Sequence, residues 1–203
     1  MTDLNQAKIV LLGDANSGKT SIVQRYINKS YNDHSSPTIG STYLTKIVDF
    51  DKKSIKLCIW DTAGQERYYS LAQNYAREAQ VCVLVYDITS KDSFYNLDRW
   101  YNSIKDYLAE NAIIAIVGNK HDLINKEAVP IEEVKNFAQI IGALYMRTSA
   151  KSGIGIEDMF IEICREFTGN PSIRKMSTYR FTNSVKLEPV KTQVIKKKKR
   201  CCK

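Results

Sequence analysis

Long apolar runs are missing from this chain of 203 residues. The longest uninterrupted ones, Val81–Tyr86 and Ala112–Val117, are of strand length, whereas a membrane-spanning helix needs ~18 residues or more. We therefore expect no membrane-spanning helix. The first residues, Met1–Gln6, include neither a basic nor an apolar segment, so we expect no secretory leader. Thr2 excludes N-myristoylation, because that modification requires a glycine.

Cysteine is scarce, with five residues placed unevenly along the chain. Cys58, Cys82 and Cys164 stand alone within apolar segments, which is typical of small core residues. No C-x-x-C pair occurs, which argues against a zinc site, and the missing leader argues against a disulfide framework. The pattern favours a reducing, cytosolic compartment.

An excess of positive charge is missing from residues 1–167, although the formal net charge of the chain is +8. Residues 168–203 hold 11 Lys and Arg against 1 Asp and Glu, and residues 1–167 hold 19 against 21. A nucleic-acid-binding domain would carry the basic surface itself, so we expect no nucleic-acid partner. The composition of residues 168–200 predicts a disordered, basic linker.

Short apolar segments alternate with amphipathic ones through residues 1–167, which have the size of one globular domain. This alternation predicts an α/β fold with a six-stranded, mostly parallel sheet and helices on both faces. Only Asp51–Ser54 separates the second and third strands, so these form an antiparallel hairpin at one edge. The predicted strands are Lys8–Leu12, Tyr43–Phe50, Ile55–Trp60, Val81–Tyr86, Ile113–Gly118 and Leu144–Thr148. The predicted helices are Lys19–Asn28, Leu71–Glu78, Ser93–Glu110, Ile131–Ile141 and Ile156–Phe167.

A phosphate-binding pattern follows the first strand, where Gly13–Thr20 reads GDANSGKT and fits G-x-x-x-x-G-K-[ST]. Its backbone N–H groups and the next helix N-terminus are suited to hold phosphates. Lys19 would contact the β- and γ-phosphates, and the Thr20 hydroxyl would bind Mg²⁺. A glycine-rich turn without a ligand is the alternative. The strand before and the helix after favour the phosphate site.

A second polar segment, Asn119–Asp122, reads NKHD and follows the strand Ile113–Gly118. The Asp122 carboxylate can accept hydrogen bonds from the N1–H and 2-amino groups of guanine, which adenine lacks. Alone, this segment also fits a plain polar turn. Beside a phosphate loop it indicates a guanine site, and Ser149–Lys151 forms a further loop at the same end of the sheet.

A third loop, Asp61–Gln65, ends the strand Ile55–Trp60. An acidic side chain at a strand end beside a phosphate loop can hold Mg²⁺ through water. The Gly64 amide is then placed to meet a γ-phosphate, and Gln65 to orient an attacking water. A lone D-x-x-G also fits a turn, so this interpretation depends on the other two motifs.

Together these motifs resemble the Ras superfamily of small GTPases and, within it, the Rab family. The resemblance covers Lys8 to Phe167 and implies the P-loop NTPase fold of a small G domain over residues 1–167. Pro37–Gly40 is similar to the Rab effector loop. The segments more specific to Rabs are KLCIW at Lys56–Trp60, RYYSL at Arg67–Leu71, LVYDIT at Leu84–Thr89 and NLDRW at Asn96–Trp100.

The resemblance also implies roles for individual residues. Thr38 would bind Mg²⁺ and γ-phosphate in the GTP state only, Tyr31 would cover the guanine edge, and Ala150 would offer its N–H to guanine O6. The implied catalytic residues are Gln65, Lys19 and Thr38, and the implied Mg²⁺ ligands are Thr20, Thr38 and Asp61. The implied GTP-binding residues are Asn16, Ser17, Gly18, Lys19, Thr20, Ser21, Tyr31, Thr38, Gly64, Asn119, Lys120, Asp122, Ser149, Ala150 and Lys151.

The implied mechanism is a monomeric GTP/GDP switch whose two ordered loops bind effectors. By family resemblance it works with an exchange factor, a GTPase-activating protein, a GDP-dissociation inhibitor and an escort protein. Two residues depart from the usual pattern. Ala15 replaces a glycine beside the γ-phosphate, so we expect slower hydrolysis. Tyr43 replaces the usual Phe, which bears on effector choice.

The end of the chain indicates a membrane anchor, since Cys201 and Cys202 resemble the doubly geranylgeranylated ends of Rabs. Arg200 occupies the place where a C-a-a-X box needs cysteine, and the basic run Lys196–Arg200 suits an anionic leaflet. We expect prenylation within residues 201–203 and the cytoplasmic face of an endomembrane, most like the early-endosomal subgroup, with a cytosolic inhibitor-bound pool. The alternatives are a GTP-binding scaffold that rarely hydrolyses and a nuclear GTPase imported by the basic run.

Overall fold

The computed structural model describes residues 5–33, 36–50, 53–65 and 69–169. Residues 170–203, with nearly all of the predicted linker and both terminal cysteines, lie outside the described residues. The strands are β1 Asn5–Leu12, β2 Ser41–Phe50, β3 Lys53–Thr62, β4 Val81–Asp87, β5 Ile113–Asn119 and β6 Leu144–Arg147. The α-helices are α1 Lys19–Asn28, α2 Tyr69–Ala76, α3 Lys91–Ile104, α4 Ile131–Ile141 and α5 Ile156–Phe167.

The six strands form one sheet in the order β2-β3-β1-β4-β5-β6. The pair β2–β3 is antiparallel and the other four pairs are parallel, which confirms the predicted antiparallel edge. The chain builds β2 and β3 on one side of β1, and β4 to β6 on the other. The carboxyl end of β1 is therefore the topological switch point, where ligands bind in open α/β sheets.

Helices cover both faces of the sheet, as predicted, and alternate residues of β1 face the two opposite layers. Ile9 and Leu11 of β1 pack with α1 and α5, whereas Val10 and Leu12 pack with α2, α3 and α4. All four side chains are fully buried. The strand β1 is thus apolar on both sides, which is the pattern of a covered parallel sheet. The lone cysteines Cys58, Cys82 and Cys164 are buried, as predicted.

The third helix is shorter than the predicted Ser93–Glu110 and begins earlier. The Ser90 side chain accepts a hydrogen bond from the Ser93 N–H at 3.3 Å, and this N-cap starts α3 at Lys91. The helix ends at Ile104 and a short 3₁₀ segment follows. There the Tyr107 carbonyl accepts from the Glu78 N–H at 2.9 Å, so a contact with a distant segment ends the helix.

Two smaller differences concern connections. The β2–β3 pairing continues to Phe50 and Lys53, so the strands extend beyond the predicted connection Asp51–Ser54. Asp51 and Lys52 themselves lie outside the described residues. A 3₁₀ helix over His121–Lys126 was not predicted. Among the described residues, the helices are all too short or too polar to cross a bilayer.

Candidate functional site

A cavity of about 430 Å³ opens at the carboxyl ends of β1, β3, β5 and β6. Its walls come from the loops that follow these strands and from the segment between α1 and β2. Because parallel strands end together, motifs far apart in sequence meet here. The lining residues are Ala15, Asn16, Gly18, Lys19, Thr20, Ser21, Tyr31, Asn32, Asp33, Ser36, Pro37, Thr38, Thr62, Gly64, Gln65, Asn119, Lys120, Asp122, Leu123, Ala150 and Lys151.

The loop between β1 and α1 depends on two glycines that have positive φ. Gly13 has φ 138°, and a Cβ there would lie 2.0 Å from the Val85 carbonyl oxygen. Gly18 has φ 93°, and a Cβ there would lie 2.2 Å from Asn119 Nδ2. Any larger residue at these positions would collide with the neighbouring strand or with the base-recognition loop. The glycines therefore let the loop lie tightly against both.

Lys19 begins α1 and is only 4% exposed. Its Nζ donates to the carbonyl oxygens of Gly13 and Asp14 at 2.8 and 2.9 Å. Burial lowers the pKa of Lys19 to about 8, although Asp61 and Asp14 oppose this shift. A buried ammonium on a cavity wall attracts a multiply charged anion strongly, because the local dielectric is low. The arrangement fits a phosphate group at this end of the cavity.

Three oxygen-bearing side chains meet beside Lys19. The Thr20 and Thr38 hydroxyl oxygens are 2.7 Å apart. Asp61 is 1% exposed, and its Oδ1 has no hydrogen-bond partner among the described residues. Burial raises the pKa of Asp61, while Thr20 and Lys19 lower it in part. Hard oxygen donors around an unsatisfied carboxylate oxygen suit Mg²⁺, so the residues present fit this cation.

The loop after β3 lies directly against the phosphate loop. A Cβ on Gly64 would be 2.4 Å from Lys19 Nζ and 2.5 Å from the Ala15 nitrogen, so only glycine fits this approach. The Ala63 N–H donates to the Gly40 carbonyl at 2.8 Å. This bond ties the loop after β3 to the segment that carries Thr38.

Asn119 holds the phosphate loop and the loop after β6 together. Its Nδ2 donates to the Ser17 carbonyl at 2.9 Å. Its Oδ1 accepts from the Thr148 hydroxyl and the Ala150 N–H, both at 3.2 Å. With 2% of its surface exposed, Asn119 fixes the geometry of three loops.

Asp122 is oriented by Ser149, which is fully buried and does not line the cavity. The Ser149 hydroxyl donates to Asp122 Oδ1 at 2.5 Å and accepts from the Ser152 N–H at 3.0 Å. Lys120 forms an ion pair with Asp87, Nζ to Oδ2 2.6 Å. Both Asp122 and Lys120 line the cavity, so a carboxylate and a long aliphatic stem are available to a planar base.

The structure brings the predicted nucleotide-binding residues to one cavity, with two exceptions. Ser17 and Ser149 are fully buried and do not line it. Asp61 is likewise buried behind the wall, whereas Thr20 and Thr38 are on it. Six further residues line the cavity although no motif predicted them as binding residues: Asn32, Asp33, Ser36, Pro37, Thr62 and Leu123.

Arg25 is a further residue of the site that no motif indicated. Its guanidinium donates to the carbonyl oxygens of Ala150 and Lys151, 2.7 Å from Nε and 2.5 Å from a terminal nitrogen. These residues are more than a hundred positions away along the chain. Since backbone carbonyls are the acceptors, no residue type signals the contact in the sequence.

Comparisons with known proteins agree with this geometry. The family model described as "Ras family" matches residues 8–169. Human Ras-related protein Rab-31 is 45% identical over 166 residues, which are 82% of this chain and 85% of that protein. Ras-related protein Rab-5A of Dictyostelium discoideum is 38% identical over 197 residues, or 97% and 96% of the two chains. Human Ras-related protein Rab-22A is 41% identical over 162 residues, or 80% and 84%.

Proposed function

This chain belongs to the Ras family and is a Rab-type GTPase, and we propose that it switches endocytic vesicle traffic by binding Mg²⁺–GTP in the cavity described above. One observation carries the assignment to that cavity. Lys19, a buried cation suited to phosphate, and Asp122, a carboxylate suited to guanine, line the same 430 Å³ space. A guanine nucleotide is the ligand with matching groups at its two ends.

The residues around Lys19 support GTP hydrolysis. Mg²⁺ held by Thr20, Thr38 and Asp61 would neutralise charge on the β- and γ-phosphates. The Lys19 ammonium stabilises the charge that moves toward the leaving oxygen. Gln65, on the cavity wall, orients the attacking water.

The same contacts provide the switch. In the GTP state, Thr38 and the Gly64 amide hold the γ-phosphate, and the bond from Ala63 to Gly40 keeps their loops together. Hydrolysis removes the γ-phosphate and releases both loops. Effectors bind the ordered form. An exchange factor and a GTPase-activating protein set how long each state lasts.

Membrane attachment is the part of the proposal that lies in the tail. Cys201 and Cys202 would carry two prenyl chains, because one chain anchors only marginally. The run Lys196–Arg200 would add affinity for an anionic leaflet. A GDP-dissociation inhibitor and an escort protein would then handle the lipidated chain. Similarity to early-endosomal Rabs supports the cytoplasmic face of that compartment.

The nucleotide assignment is tested by exchanging the base that Asp122 accepts. Purified wild-type full chain should bind GDP far more tightly than ADP. Asp122→Asn should lose affinity for GDP and gain it for xanthosine diphosphate, since an amide can donate to the 2-oxo group of xanthine. Asp106→Asn, at an exposed position outside the cavity, is the matched control. Tight ADP binding, or an Asp122→Asn variant that still prefers GDP, would reject the assignment.

The location is tested by imaging the tagged full chain and its Cys201→Ser/Cys202→Ser variant in the host cell. The proposal expects wild type on endosomes and the variant dispersed. If wild type and variant are both nuclear, that result would instead support import by the basic run.

A GTP-binding scaffold is the second candidate, and Ala15 favours it. Ala15 and Gln65 line the same cavity, and this candidate requires that the Ala15 methyl crowd Gln65 and the water it orients. Single-turnover GTP hydrolysis separates the two functions. A wild-type chain that binds GTP without cleaving it, and that cleaves GTP once Ala15 is replaced by glycine, is a scaffold for the reason given.

A further inference from the structure

Arg25 connects three parts of the site from the last turn of α1, the helix that begins at Lys19. Its Nε and one terminal nitrogen donate to the carbonyls of Ala150 and Lys151, at 2.7 and 2.5 Å. The other terminal nitrogen donates to the Lys29 carbonyl at 3.2 Å. One guanidinium thus holds two successive carbonyls of the loop after β6 and the end of its own helix.

The same group also lies against Tyr31. The Arg25 Cζ is 5.9 Å from the centre of the Tyr31 ring, which is within cation–π range. Tyr31 lines the cavity, while Arg25 itself does not. Arg25 therefore touches, from outside, both a loop and an aromatic ring that border the base end of the cavity.

Holding these carbonyls directs the backbone N–H groups of the loop. In a trans peptide the C=O and N–H point in opposite directions, so fixing the Ala150 carbonyl on Arg25 turns the Lys151 N–H away from Arg25. The preceding N–H, of Ala150, donates to Asn119 Oδ1 at 3.2 Å. The next, of Ser152, donates to the Ser149 hydroxyl. Both peptide units that Arg25 holds are therefore fixed in orientation.

We propose that Arg25 is a positioning residue for guanine: by fixing the Ala150 and Lys151 carbonyls, it orients the Lys151 N–H toward a purine that carries an oxygen acceptor at C6. This inference rests on the proposed nucleotide function and identifies the 6-oxo group as the part of the base whose recognition depends on Arg25. A planar guanidinium suits the task because it donates two hydrogen bonds in a fixed geometry. Lysine carries its three donors on one rotating ammonium instead of a planar fork, so it would hold the two carbonyls in a less fixed geometry.

The test compares two nucleotides in the full-length protein. GDP carries the 6-oxo group, and 2-aminopurine riboside 5′-diphosphate lacks it while keeping the 2-amino group and both phosphates. The analogue also lacks the N1–H, so each nucleotide is compared with itself, as the ratio of its dissociation rates from the variant and from wild type. Arg25→Met keeps side-chain length and removes the donors. We expect it to speed GDP dissociation about tenfold or more, and to change dissociation of the analogue less than about twofold. Arg25→Lys should speed GDP dissociation less than Arg25→Met does, because the ammonium still donates hydrogen bonds. Arg99→Met, at an exposed position on α3, is the control.

The ratio of the two effects separates positioning from stability. Equal acceleration for GDP and the analogue, or none for either, would overturn the proposal, because a merely structural role weakens all ligands alike. If Arg25→Met does not fold, the same ratio measured on Arg25→Lys decides. If the wild type binds ADP as tightly as GDP, the proposed nucleotide function fails instead, and that result is visible before any variant is made.

Discussion

The lowered pKa of Lys19 leads to a prediction about nucleotide affinity and pH. Burial brings this pKa to about 8, so the ammonium loses its proton between pH 7 and 9 in the nucleotide-free protein. Phosphate binding requires the charged form, and a bound phosphate raises the pKa again. The affinity for GDP should therefore fall as the pH rises through 8.

The size of the effect follows from the protonated fraction. With a pKa of about 8, this fraction is about nine-tenths at pH 7 and about one-tenth at pH 9. GDP affinity at pH 9 should then be about tenfold lower, or about 1.4 kcal/mol.

Without nucleotide, the free energy of unfolding should rise with pH, whereas the affinity for GDP falls. The folded-state pKa lies below the ordinary 10.5, so between these values the unfolded chain binds more protons than the folded one. The contribution of Lys19 to the free energy of unfolding therefore rises with pH across this window, by up to about 3 kcal/mol.

The assay is a GDP titration of the full chain at pH 7, 8 and 9, at constant ionic strength and saturating Mg²⁺. Lys19→Met is titrated in parallel, since it keeps every other titrating group. The readout is the GDP affinity of wild type divided by that of Lys19→Met, and this ratio should fall about tenfold from pH 7 to pH 9. A ratio that stays constant, or grows with pH, would refute the argument from burial.

Three further predictions concern the phosphate loop. Gly13→Ala should unfold the protein or lower its free energy of unfolding by more than about 3 kcal/mol, because the new Cβ would lie 2.0 Å from a carbonyl oxygen. Gly142→Ala has open space around it and should lower the free energy of unfolding by about 1 kcal/mol. Urea unfolding compares the two variants. Ala15→Gly should speed single-turnover hydrolysis, and a rate no faster than wild type contradicts the crowding argument. Trp100→Phe removes the 2.8 Å bond from Nε1 to the Asp14 carboxylate, so thermal unfolding should show a loss of about 1 to 3 kcal/mol; an unchanged midpoint would show that this bond contributes little.

Much of the fold was predictable because its signals are local. The apolar strands and the short β2–β3 connection predict the sheet and its antiparallel edge from hydrophobicity and chain length alone. The segments Gly13–Thr20 and Asn119–Asp122 are contiguous, so their spacing carries the chemistry of phosphate and base recognition. Each of these features needs only residues that are neighbours in the chain.

The tertiary structure decided what depends on distant partners. The third helix ends at Ile104 because the next residues bond to the segment around Glu78. Ser149 is buried behind Asp122 and does not line the cavity. Arg25 reaches backbone carbonyls more than a hundred residues away. Every residue has a carbonyl, so no pattern of side chains marks such an acceptor, and only the folded chain selects which one Arg25 holds.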